Sequence, residues 1–183
     1  LYDRWNAGDR LKMTAPILRL AGAAAALGGT FRIMTAFVPD ALGLPLWTVY
    51  LVIDLLLLAG WAGIYFAQAR AGGIVGVVLS LLIAAAILVL IYRDITHTDI
   101  YYIVVTMLSI ALAVMGLVML RIKIFPAWIP LLWIASFLAG LASKFLGESA
   151  LLAFQFAGAL FGAGYLGAGL LLLFGRITKP ARD

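Results

Sequence analysis

Six long apolar runs leave this chain few ways to fold. They cover about residues 14–38, 44–67, 73–92, 100–120, 126–145 and 149–174. A helix needs ~20 predominantly apolar residues to cross a bilayer, and each run has that length or close to it. The connections are short and polar or turn-forming: Pro39-Asp40, Ala71-Gly72-Gly73, residues 93–99, residues 121–126 and Gly147-Glu148. Short connections make sequential helices adjacent and antiparallel. The expectation is an all-α, polytopic membrane protein: a six-transmembrane-helix bundle over residues 14–174. Residues 1–13 form an N-terminal segment and 175–183 a C-terminal tail. No stretch is long enough for a second domain.

Composition agrees. Of 183 residues, 66% are apolar and 11% charged, against ~45–50% and ~25% in a soluble domain. A soluble core of this size does not hide so much apolar surface, and lipid removes the need to hide it. The small-residue run at 21–29 has the look of a signal-peptide cleavage region. The apolar stretch around it is too long for one, so it reads as a retained transmembrane helix. With no cysteine, disulfides, thiolate metal sites and iron–sulfur clusters are excluded.

Charge sets the orientation. Arg4, Arg10, Lys12, Arg19, Arg70, Arg121, Lys123, Arg176, Lys179 and Arg182 fall on the side of the N-terminus, and Arg93 and Lys144 on the other. That bias places both termini in the cytoplasm. It also explains the net charge of +5 without invoking nucleic acid. Aromatic belts agree: Trp47, Tyr50, Tyr92, Tyr101 and Tyr102 outside, and Tyr65, Phe66, Phe125, Trp128 and Phe174 inside.

Two charges break the apolar pattern. Asp54 is the only charge in the second run, and Arg32 lies near the outer end of the first. A charge at bilayer depth costs ~3 kcal/mol on insertion scales. From the helical rise, Arg32 is ~9 Å and Asp54 ~15 Å below the outer ends of their helices. An Arg32–Asp54 ion pair in the outer half is therefore expected, with Asp40 sharing the guanidinium and Gln155 facing the same region. Such a pair is either a structural clip or the wall of a ligand or proton site.

Small residues form the second signal. Gly158 and Gly162 make a GxxxG pair, while Ala24 with Gly28 and Gly164 with Ala168 are small-xxx-small pairs. Such faces let helix backbones approach closely, either within the chain, first helix against sixth, or against a partner. Ser80, Ser109 and Ser136 are expected to bond to their own helix backbone. His97 and Asp99, with Glu148, are a weak metal-ligand set without recognisable spacing. No catalytic motif is present, and nothing calls for a cofactor. A short similarity links Phe31-Arg32-Ile33 and the residues after it to Leu120-Arg121-Ile122 and its sequel. Three helices per half would make such a repeat inverted.

Arg19-Leu20-Ala21-Gly22, residues 51–57 around Asp54, Phe125-Pro126-Ala127-Trp128 and the Gly/Ala-rich sixth run give the chain its family likeness. It resembles a broad group of small bacterial six-helix integral membrane proteins. The resemblance implies a bacterial plasma (inner) membrane setting and carries no activity or site residue. In size, span number and first-helix small-residue spacing the chain is also similar to the substrate-binding component of energy-coupling vitamin transporters, an analogy of architecture. The residues point to a non-enzymatic accessory or scaffolding subunit whose partners are the lipid bilayer and other membrane proteins. The alternative is a solute-binding or transport protein with its small-molecule site at Arg32 and Asp54. A membrane enzyme would need His97, Glu148 and a metal to converge.

Overall fold

A computed structural model describes residues 7–39, 43–68 and 71–175, with side chains from Pro16 onward. Its regular elements are all helical: α1 Ala7–Phe37, α2 Leu46–Gln68, α3 Gly73–Thr96, α4 Tyr101–Ile122, α5 Trp128–Ala142 and α6 Ala150–Phe174, the last entered through a short 3-10 turn at Gly147–Ser149. Five helical stretches are long and apolar enough to cross a membrane; α5, with 15 residues, is shorter. The chain is thus a multi-pass, membrane-type helical bundle.

Helix α5 is five residues shorter than its apolar run, and two other boundaries differ by four residues or more. Helix α1 begins at Ala7, inside the expected N-terminal segment. Helix α3 runs past Tyr92 to Thr96 and closes at His97, whose backbone N–H donates to the Arg93 carbonyl at 2.7 Å. The expected loop at 93–99 is therefore largely helix, and Arg93 and Asp94 belong to the bundle.

Core residues recur at spacings of three and four. On α3 the buried positions are Gly76, Ser80, Ile83, Ile87, Leu90 and Asp94. On α4 they include Val104, Leu108, Leu112, Met115 and Met119. This is the stripe of a helix with one inward face. The opposite faces stay apolar: Ile74 is 76% and Ile103 66% exposed. Water would penalise that surface and lipid does not.

Each helix packs on its neighbours in sequence, and α1 closes the ring against α6. Glycine sets that closure. A Cβ on Gly29 would lie 2.5 Å from the Gly162 carbonyl oxygen, and one on Gly22 2.7 Å from that of Gly169. Gly22 opposes Gly169 and Gly29 opposes Gly162, so the two helices run antiparallel with glycine seven residues apart on each. The next face of α1 meets α2 as closely. A Cβ on Gly60 would reach Ala25, and one on Gly28 would lie 3.1 Å from Leu56 and Leu57. The run at 21–29 is small throughout because α1 is pressed from both sides.

Gly28, Gly162 and Ala168 are thus used for packing within the chain. Gly164 packs against the Trp133 ring of α5. Ala168 is fully buried, whereas Ala24 is half-buried. Of these residues Gly162 sits in close contact with the α1 backbone, whereas Gly28 meets α2 and Gly164 meets α5.

Candidate functional site

Inside the ring, in the half of the bundle away from the termini, lies a cavity of about 70 Å3 to which all six helices contribute. That is room for several waters. Its polar wall is Arg32 from α1, Tyr50 and Asp54 from α2, Arg93 and Asp94 from α3, and Tyr101 from α4. Ser109 and Ser136 add hydroxyls, while Leu57, Leu108 and Phe161 supply apolar surface. Its members on α2 (Tyr50, Asp54, Leu57) and α3 (Leu90, Arg93, Asp94) keep the three-and-four spacing of the inward face.

Arg32 and Asp54 share this cavity but do not form the expected ion pair. Among the described residues the only ion pair is Arg93 with Asp94, at 2.5 Å. Arg32 instead donates from Nη2 to the Tyr101 hydroxyl at 3.2 Å, and its guanidinium lies 5.3 Å from the centre of the Tyr50 ring. Both partners are neutral. Arg93 lies over the other aromatic, 4.9 Å from the centre of Tyr101. The two tyrosines were expected in an interfacial belt. They turn inward because they occupy the inward register of α2 and α4, where a guanidinium gains from a ring face and a hydroxyl.

Asp94 is the residue that sequence reasoning misplaced. It is 2% exposed, and its Oδ2 has no hydrogen-bond partner among the described residues. The signal was present: Asp94 extends the series 76, 80, 83, 87, 90 by one more step of four. Gln155, expected at the site, is half-buried and lies off the cavity wall. Helix α6 lines the cavity with Phe154, Ala157, Gly158 and Phe161, a stripe of one face, and Gln155 sits about 100° round from Phe154. Asp40 lies outside the described residues. Gly158, part of the GxxxG pair, lies beside the Arg32 guanidinium: a Cβ there would stand at an ordinary 3.7 Å from Nη2.

Ser136 also departs from expectation. Its hydroxyl donates to the Ala157 carbonyl at 2.8 Å, tying α5 to α6 instead of closing on its own helix. Ser80 has no partner for its buried hydroxyl among the described residues, while its carbonyl accepts from Trp61 Nε1 at 3.2 Å. Trp61, Trp133 and Tyr165 are all buried and meet edge-on or tilted, with centroids 5.5–6.3 Å apart. They fill the ring on the terminal side of the cavity.

On the other side a second hollow of about 230 Å3 reaches the ends of α2 and α3. It is lined by Leu46, Trp47, Tyr50, Arg93, Asp94, His97, Thr98 and Asp99. Tyr50, Arg93 and Asp94 line both spaces, so the Arg93–Asp94 pair stands between outer hollow and inner cavity. His97 meets Trp47 edge-on at 5.5 Å. No group of three His or acidic side chains among the described residues could hold a metal ion; His97, Asp99 and Glu148 do not converge on one.

Tyr101→Phe removes the acceptor of the Arg32 hydrogen bond and leaves the ring. A hydrogen bond from a charged donor contributes ~1.5–3 kcal/mol, so the variant should unfold at measurably lower denaturant. An unchanged midpoint would mean that Arg32 is held by the rings alone. No known protein family, curated protein or solved structure matches the chain.

Proposed function

We propose that this chain is a non-enzymatic membrane protein that binds a small polar solute, and carries it across the bilayer, through the cavity at Arg32 and Asp54. One observation carries the reading. Two ionisable side chains of opposite sign face a common space at bilayer depth without neutralising each other by contact. Intramembrane ionisable groups mark solute or proton pathways when they are not simply paired. The outer hollow supplies an approach, and the Trp61–Trp133–Tyr165 cluster supplies the barrier beyond.

In this reading α5 completes a sixth span, with the prolines and turns flanking it at the interface. Both termini then face the cytoplasm, an orientation that the basic residues on the terminal side support, and the setting is a bacterial plasma membrane, as the resemblance implies.

A second reading keeps the chain as an accessory subunit docked on partner membrane proteins. The small size of the cavity and the zero sum of its two arginines and two aspartates favour it. The internal use of Gly28, Gly162 and Gly164 counts against small-residue docking. Native mass spectrometry of protein released gently from its own membranes separates the two. A lone chain with a stoichiometric small molecule is the expected result. Retained protein partners, with no small molecule, would establish the subunit.

A further inference from the structure

The charges of the cavity restrict what can enter it. Arg93 and Asp94 neutralise one another. The direct contacts of Arg32 are with the Tyr101 hydroxyl and the Tyr50 ring. Asp54 has no hydrogen-bond or ion-pair partner among the described residues. The wall therefore sums to zero, with one cation and one anion facing each other across a gap without an ion-pair contact. An anion entering alone would leave the cavity negative within the bilayer. An anion entering with a proton leaves it neutral.

We propose that the cavity takes up a small monocarboxylate together with one proton, the carboxylate on Arg32 and the proton on Asp54. This deepens the solute-binding reading above and rests on it. The guanidinium is suited to a carboxylate because its planar donors match two oxygens at once. One edge of it is held by Tyr101, which leaves the remaining donors for the solute. Leu57, Val105, Leu108 and Phe161 line the cavity beside these groups and suit a short hydrocarbon tail. The cavity of about 70 Å3 has room for such a tail.

The proton comes from bulk water and rests on a carboxyl oxygen of Asp54, and no covalent bond of the solute changes. The groups that face Asp54 are few. They are Arg32 from α1, Tyr50 on its own helix, Arg93 and Asp94 from α3, and Tyr101 from α4. From α5 comes only the Ser136 hydroxyl, and from α6 Tyr165 on the terminal side. Asp94 is ion-paired with Arg93 through Oδ1, whereas Asp54 makes no ion pair among the described residues, so the proton is assigned to Asp54.

The test is titration calorimetry of the full chain in lipid nanodiscs, with propionate as probe and glycine as a zwitterionic comparison. Two buffers of different ionisation heat count the protons. One proton taken up per propionate is expected. The Kd should then weaken about tenfold per pH unit while Asp54 is ionised in the free protein. Asp54→Asn should bind propionate with no proton uptake and a flat pH profile. Arg32→Gln should lose binding at least tenfold, and Arg32→Lys should recover part of it. Should Asp54→Asn fail to fold, the proton count and pH slope of the unaltered chain decide. Propionate binding without proton uptake between about pH 5 and pH 9 overturns the proposal. Glycine binding without propionate binding also overturns it, yet leaves the solute-binding reading standing. Binding of neither overturns both.

Discussion

Gly162→Leu is expected to abolish the closed ring, leaving a chain that elutes from size-exclusion chromatography as aggregate. The single-carbon change Gly162→Ala should already cost ~1–3 kcal/mol, the usual range for forcing extra volume into a packed interior. A Cβ at Gly162 would lie 2.6 Å from the Gly29 carbonyl oxygen and 3.1 Å from the Ile33 backbone nitrogen. Backbone cannot swing aside as a side chain can, so α1 and α6 must part. Gly29→Ala meets the same obstacle from the other helix. Gly158→Ala is the control: it belongs to the same GxxxG pair, but its nearest neighbour would be Ala36 Cβ at an ordinary 3.5 Å. Denaturant midpoints in mild detergent read the contrast. Equal tolerance at positions 158 and 162 would show that the helices are not in close backbone contact.

Arg93→Ala should be the most damaging of the charge-removing substitutions, at about 3 kcal/mol. Removing one partner of a buried ion pair leaves the other charge in a low-dielectric site, a loss of ~3–5 kcal/mol. The lower end applies because the Arg93 side chain retains 28% exposure, whereas Asp94 retains 1%. The double variant Arg93→Ala with Asp94→Ala should recover a substantial part of the loss, since no charge is then stranded. A double-mutant cycle on unfolding midpoints measures the coupling directly. Additive losses would mean that the two side chains are solvated separately.

Much of this architecture is legible in the sequence. Run length and hydropathy locate the five helices long and apolar enough to cross a membrane, because lipid would impose the same demand on each; α5 shows as a shorter apolar helix. The small residues of α1 and α6 announce a close crossing. Their partners were harder to read. The eye falls on GxxxG, while the contact uses Gly22 and Gly29 against Gly162 and Gly169, a spacing of seven that keeps one face over two turns. The site was half legible. Arg32 and Asp54 stand out because each violates an apolar run, and both do line the cavity. Their separation was not readable, since it depends on Tyr101 and Tyr50 drawing the guanidinium away, and those tyrosines looked interfacial. Asp94 was hidden by its neighbours: in Arg93-Asp94-Ile95-Thr96-His97 it has the company of a solvated loop. Only the continued three-and-four spacing from Ile83 through Leu90 marks it as inward.

Water access to the polar-walled cavity inside the apolar ring is directly measurable, because the sequence contains no cysteine. A thiol reacts as its thiolate, which forms in water and not in lipid. Ser109→Cys places a thiol on the cavity wall, and Ile103→Cys places one on the exposed apolar face of the same helix. In membranes treated with a small, charged methanethiosulfonate, Cys at position 109 should be modified much faster than Cys at 103. Protection of the 109 thiol by propionate would tie the space to the solute. Two thiols equally inert in intact membranes, and equally reactive once the protein is denatured, would contradict the account, leaving a dry bundle whose embedded charges serve packing alone.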